Sequence, residues 1–276
     1  MDQLVFVIGA ASSGTAATVI KNMWDRDEKT LDAASKKYHA MSREMAQKNL
    51  SDFLNEFRDR TNRFDEIIKE KPEVRDRIEE ALADPDFTVL QMNAMLASAR
   101  TSLTQAHQIL ARLVAERLLV ERESWRSLTI DAACRAVPNL TSTQQKILAV
   151  LTMIYGGRPD PASMEIPPDK FHDWWCHWLK EILSPLLPID DTEEIDYTHL
   201  MANSCCTYEF LGYRYLKRIL APPLGARGRW DAEKFLAESE VGQMLTTMWE
   251  KGMQRAYPTS VGRLIGMHVH DLYAGR

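Results

Sequence analysis

The chain has 276 residues, with 34 Lys and Arg against 39 Asp and Glu, a net charge of −5 and 45% hydrophobic residues. That length holds one large or two modest domains with a sizeable core, and the acidic balance excludes polyanion binding over the whole surface, so any nucleic-acid site has to be a local patch. The four cysteines, Cys134, Cys176, Cys205 and Cys206, lack the spacing of a disulfide scaffold and read as reduced thiols.

The first element is the most distinctive. From Gln3 through Ile20 no side chain is charged; the run starts apolar and ends rich in Gly, Ala, Ser and Thr. A bilayer core is about 30 Å thick and a helix rises about 1.5 Å per residue, so roughly 20 residues span it. Segment 1–24 therefore reads as a single transmembrane helix, with Lys21 able to snorkel and Trp24 placed as an interfacial anchor. Ala11, Thr15, Thr18 and Asn22 share one helical stripe, with Ser12 at its border. In a homo-oligomer, such as a tetramer, that polar stripe would line a pore and the aliphatic face would meet the lipid bilayer. Lys21, Arg26 and Lys29 follow the run and no basic residue precedes it, so the N-terminus is expected outside and the body in the cytoplasm.

Other readings of this segment fit less well. A signal peptide wants a basic n-region, yet Asp2 is the only charged side chain before the run. A P-loop needs Lys after its second Gly, yet Thr15 follows Gly14, and no G-x-G-x-x-G is present. The alternative that stays open is a soluble helical adaptor whose N-terminal helix is buried in an oligomer.

The body reads as all-α in three parts: a stalk over 25–71, a helical domain over 72–157 and a C-terminal helical domain over 158–276. No Gly or Pro occurs from Leu31 to Lys71, and Leu50, Phe53, Leu54 and Phe57 recur at helical spacing, giving one or two helices that end at Pro72. A short helix should run to Ala83, followed by a turn at Asp84-Pro85-Asp86-Phe87. Helices are then expected over 89–121 and 125–136, and from Gln144 to Tyr155, capped by Thr141, Ser142 or Thr143 and stopped by Gly156-Gly157. The proline-bearing stretch 158–169 is the clearest boundary. Beyond it lie an aromatic helix from Phe171 to Leu183, an acidic solvated loop over 190–196, a largely helical stretch from Tyr197 to Leu220 and one or two helices over 231–256. A last helix runs through Leu272, capped by Thr259 or Ser260. No strand is evident.

One charge cluster stands out. Arg214, Lys217, Arg218, Arg227 and Arg229 gather with Tyr208, Tyr213, Tyr215 and Trp230, and Glu209 is the only acid between Ser204 and Trp230. Cations neutralise phosphates and aromatic faces stack bases, so Tyr213, Arg214, Lys217, Arg218, Arg227 and Arg229 form a candidate nucleic-acid or nucleotide site. The competing reading is a basic face paired with the acidic loop. His172, Cys176 and His177 do not complete a zinc set, and the neighbouring tryptophans suggest core packing instead. No G-x-S-x-G or H-E-x-x-H is present, so no catalytic residues, metal or cofactor are expected.

The small-residue segment Leu4–Ile20, the long helix after it, and the motifs ADPDF (83–87) and VPNLTSTQQ (137–145) resemble the membrane channel effectors of bacterial anti-phage defence, in particular the HalA-like channels of Hailong systems. The resemblance implies an inner-membrane homo-oligomer whose opening depolarises the infected cell. It also implies a partner nucleotidyltransferase-like enzyme, whose single-stranded DNA oligomers hold the channel shut.

Overall fold

A computed structural model describes residues 43–157, 159, 166–189, 192–209, 212–222 and 229–275. Segment 1–24, with Ala11, Ser12, Thr15, Thr18 and Asn22, lies outside the described residues, as does Arg227. Among the described residues no helix is long and apolar enough to cross a membrane. The fold is all-α with one minor sheet, and the chain divides into two compact units, 1–134 and 135–276. The stretch 158–169 falls within the second unit.

The described part of the first unit holds α1 (Arg43–Thr61), α2 (Phe64–Glu70), α3 (Glu73–Ala83), α4 (Pro85–Arg100), α5 (Thr104–Arg117) and α6 (Trp125–Ala136), the last running two residues into the second unit. The described part of the stretch before Pro72 holds two helices. The apolar stripe of α1 faces α4 and α5, with Leu50, Phe53 and Phe57 fully buried and the two rings parallel at 6.2 Å. The link from α4 to α5 is held by Asn49 Nδ2 and His107 Nε2, which both donate to the Thr101 carbonyl at 2.7 and 2.8 Å.

The expected turn at Asp84 is instead the start of a helix. Asp84 Oδ1 accepts the Asp86 N–H at 3.0 Å and Pro85 takes the first helical position, where its missing N–H costs nothing. The same carboxylate is buried against Arg117 (3.3 Å) and Arg122 (3.4 Å). A second ion cluster joins α1 to α5. Glu56 Oε1 accepts from Arg112 Nε at 2.7 Å and from Arg60 Nε at 3.0 Å. Burial opposes ionisation of Glu56, but the two guanidinium groups outweigh it and hold the carboxyl below its ordinary value.

The second unit is built on α7 (Ser142–Gly156), whose residues from Ile147 to Ile154 are all buried. Such a helix is central rather than amphipathic. Thr141 caps it in a reciprocal box with Gln144 at 3.1 Å each way. Around it lie α8 (Phe171–Leu183), α9 (Glu194–Ala202), the one-turn α10 (Leu216–Ile219), α11 (Ala232–Glu238), α12 (Glu240–Glu250) and α13 (Ser260–Tyr273), with 3-10 turns at Val137–Asn139, Ser184–Leu186 and Met253–Arg255. The acidic run was expected as a loop. Its described end instead starts α9, where Glu193 and Asp196 form a capping box.

The stretch 197–220 departs most from the sequence expectation. Helix α9 stops at Ala202, and β1 (Cys206–Tyr208) pairs antiparallel with β2 (Ala256–Pro258), with Thr207 opposite Tyr257. Only tertiary pairing across about fifty residues decides this, so the local pattern carried no sign of it. Helix α13 lies along α7, and its glycines permit the approach. A Cβ on Gly262 would meet the Cys205 carbonyl, and one on Gly266 would meet Thr152 Oγ1 and the Leu148 carbonyl. Cys205 and Cys206 are buried beneath the ladder, and burial pushes both thiols up to about 12.

Two predictions follow from the ion clusters. Asp84→Ala removes a cap and leaves the buried Arg117 with only the more distant Asp131, and should cost about 3–5 kcal/mol in urea denaturation. Asp84→Asn, which retains an acceptor for the Asp86 N–H, should cost less. For Glu56 the folded pKa lies below the unfolded one, so its contribution is present above the unfolded value near 4.5 and disappears as pH falls through the folded one. Urea titrations at descending pH should therefore show a loss of stability in that acid window, and Glu56→Gln should flatten it.

Candidate nucleic-acid interface

Beyond β1 the chain bonds back to the 3-10 turn at Met253–Arg255: Glu209 N–H bonds the Arg255 carbonyl at 3.0 Å and Arg214 N–H the Gln254 carbonyl at 3.1 Å, while Trp249 Nε1 donates to the Arg214 carbonyl at 2.8 Å. Tyr213 and Tyr215 are both exposed, 61% and 50%, and meet edge to face at 5.5 Å. Hydrogen bonding to Tyr215 holds the Tyr213 phenol above its ordinary value.

Arg214 goes the other way. Its guanidinium bonds Glu209, donates to the Ala256 carbonyl at 3.3 Å, and stands 5.2 Å from the Tyr257 ring and 5.9 Å from the Tyr155 ring. Burial raises the Tyr155 phenol above its ordinary value despite that guanidinium. Arg214 thus ties residues 212–215 to β2 and α7, with both terminal nitrogens of its guanidinium bonded within the fold.

The remaining candidates divide between two neighbouring features joined by α10. Arg218 lies 5.4 Å from the Tyr215 ring, extending the exposed aromatic pair with a cation. Lys217, the next residue, lines an open groove of about 680 Å³ with Arg229, Lys234, His172, Trp230 and Glu233. Lys217 Nζ meets Glu233 Oε1 at 3.2 Å on the exposed rim. The Asp231 N–H donates to His172 Nδ1 at 3.3 Å, which leaves the proton on Nε2, 3.6 Å from Cys176 Sγ. Burial raises the Cys176 thiol above its ordinary value against the pull of the Trp230 indole. Among the described residues no group of three or more His, Cys, Asp or Glu could hold a metal ion.

Sequence reasoning did not pick Lys234 or His172 for this groove. Lys234 follows the Asp231 cap by three residues, and that spacing was the available signal. The aromatic helix behaves as packing: Trp175 is fully buried, donates to the Leu220 carbonyl at 3.0 Å and lies 4.7 Å from Trp178.

These features define an all-helical protein whose C-terminal unit exposes aromatic rings beside a basic groove. The family model whose description reads ":-like" matches residues 19–223, well over half of the chain, and the chain belongs to that family, whose function is not established. The match includes Tyr213 through Arg218 and stops short of Arg229. No curated protein matches the chain, and no solved structure does.

The geometry separates Arg214 from Lys217 and Arg229 by role. Arg214→Ala should cost about 1–3 kcal/mol, because it takes the cation from Glu209 and from the Tyr155 ring and leaves the Ala256 carbonyl without that donor; Tyr257 keeps Arg263. Lys217→Ala with Arg229→Ala should stay within about 0.5 kcal/mol of the parent in the same urea titration.

Proposed function

We propose that the chain is a ligand-gated membrane effector. Segment 1–24 forms the pore of a homo-oligomer, lined by Ala11, Ser12, Thr15, Thr18 and Asn22, and the helical body assembles and gates it. The observation that carries this reading is the uncharged run from Gln3 to Ile20 ahead of a strongly charged body. The gating ligand is a single-stranded nucleic acid or nucleotide. Two features support that choice: the exposed Tyr213, Tyr215 and Arg218, which offer stacking faces beside a cation, and the groove cations Lys217, Arg229 and Lys234, which offer phosphate contacts. Arg214 contributes by holding Tyr213 and Tyr215 in place.

The resemblance to anti-phage channel effectors gives this reading a setting: an inner-membrane channel, a partner nucleotidyltransferase that supplies the ligand, and depolarisation on opening. No catalytic step is assigned. A ligand that keeps the pore shut must bind the shut form more tightly than the open one.

The test is dye release from liposomes by the full-length protein and by Thr15→Leu/Thr18→Leu. Release by the parent and its loss in the variant, with assembly intact, are expected. Liposome association and release that both fail in the parent would favour the soluble adaptor with a buried N-terminal helix. In parallel, a labelled single-stranded DNA 12-mer should bind with strong salt dependence. Lys217→Glu/Arg218→Glu/Arg229→Glu should weaken that binding at least tenfold; an unchanged affinity would remove the groove from the ligand site.

A further inference from the structure

Helix α6 carries apolar side chains on two faces. Ile130, Ala133 and Cys134 are buried in the fold, while Trp125 and Leu128 are 70% and 61% exposed on the other side. On that same outer face Ala132 is half-buried and Arg135 exposed. A single apolar side chain at a surface is ordinary, but a tryptophan and a leucine one turn apart form a patch. A helix that is apolar on both sides is satisfied only when both are covered.

Residues 125, 128, 132 and 135 follow the alternating three- and four-residue spacing of a two-helix seam. The spacing is symmetric about residue 130, so the stripe can meet a copy of itself running the opposite way about a two-fold axis. In that pairing Leu128 falls against Ala132 of the second copy, large against small. Trp125 falls against Arg135 of the second copy, whose stem lies along the ring and whose guanidinium is attracted to its face. Charge selects the same direction. The turn before Trp125 carries Glu121 and Glu123, whose side chains are 71% and 83% exposed. Their pairs with Arg77 and Arg122, at 3.5 and 3.8 Å, are surface pairs that exchange at little cost. Arg135 stands in the last turn of α6, so antiparallel pairing brings it to that acidic turn. Parallel pairing would set Arg135 against Arg135 and acid against acid.

We infer that the outer face of α6 is an isologous interface with a second copy of this chain. Trp125 is its anchor, Leu128 and Ala132 interlock at its centre, and Arg135 closes each end against Glu121 and Glu123. Tryptophan and arginine are the residue types that carry most energy at protein interfaces. A seam of four residues covers less than the about 800 Å² per partner of a standard interface, so it acts as one contact within a larger assembly. The inference goes beyond the proposed gating and depends on neither the pore nor the basic groove.

Disulfide trapping in the full-length protein tests it. Two copies with different tags are coexpressed, one carrying Leu128→Cys and the other Ala132→Cys, and are oxidised mildly with copper phenanthroline. A covalent dimer of the two is expected on a non-reducing gel. Leu128→Cys coexpressed with Glu79→Cys, an exposed position on α3, should give at least tenfold less and accounts for the native cysteines. Arg135→Glu in both copies should lower the Leu128–Ala132 yield at least tenfold, and adding Glu121→Arg/Glu123→Arg should restore it. All these positions are exposed or half-buried, so each variant should melt close to the parent. A Leu128–Ala132 yield no higher than the control, or one unmoved by Arg135→Glu, would overturn the interface. Loss on Arg135→Glu without recovery in the charge-swapped variant would overturn the antiparallel pairing.

Discussion

The close approach of α13 to α7 is the constraint on which the C-terminal unit depends. At Gly266 the two helices meet backbone to backbone, where a side chain would strike the Leu148 carbonyl and Thr152, and at Gly262 α13 meets the Cys205 carbonyl ahead of β1. The approach also fixes the strand ladder. The Thr259 N–H reaches the Cys205 carbonyl at 3.0 Å, Thr259 Oγ1 donates to the Ser204 carbonyl at 2.7 Å, and the same hydroxyl accepts the Gly262 N–H at 3.2 Å. One threonine therefore caps α13 and ties it to β1. Beyond β1 lie Tyr213 and Tyr215, flanking Arg214, which bonds the Gln254 and Ala256 carbonyls beside the ladder. The candidate interface is thus a consequence of helix packing rather than of its own local sequence.

Ionic groups define the first unit in a comparable way. Asp84 is shared between a helix cap and two guanidinium groups, and Glu56 between Arg60 of its own helix and Arg112 across the contact with α5. Buried pairs of this kind add little net stability against an apolar alternative, because desolvation consumes the Coulomb gain. Their effect is on geometry: Arg112 meets Glu56 only when α1 and α5 are in one relative position. The apolar stripe of Leu50, Phe53 and Phe57 supplies the driving force, and the ion pairs select among the ways of satisfying it.

Much of the helical architecture was legible in the sequence, since period and capping residues are local. The α1 stripe, the Thr141 cap and its Gln144 partner, the Gly156-Gly157 stop and the Thr259 cap all follow from nearest neighbours along the chain. Two kinds of feature were not legible. The β1 ladder depends on a partner strand about fifty residues away, so the stretch 197–220 passed for helix. The direction of each arginine was also hidden: Arg214 and Arg218 look alike in a basic cluster, yet Arg214 turns in to Glu209, the Ala256 carbonyl and Tyr257, while Arg218 stays outside on Tyr215. The two motifs that carried the family resemblance have structural explanations as well. ADPDF is the Asp84 cap with Pro85 at the first helical position. VPNLTSTQQ is a 3-10 turn followed by a capping box, and its Gln144 reaches on to Asp196 at 3.1 Å and to His199 at 3.0 Å. Both positions serve the fold, so likeness at them speaks to architecture before it speaks to ligand.

The basic residues of the interface differ in how readily they can be recruited. The Lys217–Glu233 pair is exposed on both sides, 54% and 81%, and such a pair is worth about 0–1 kcal/mol. A phosphate arriving in the groove can replace Glu233 at that small cost and gains a charge-assisted bond in return. Arg218 lies on Tyr215, where a stacked base can share the same ring and cation. Arg214 is at the opposite extreme: withdrawing it from Glu209, the Ala256 carbonyl and two rings would loosen residues 212–215 from β2. A ligand therefore meets a surface with one fixed arginine and several lightly held cations. That arrangement lets binding energy go into new contacts instead of into breaking old ones.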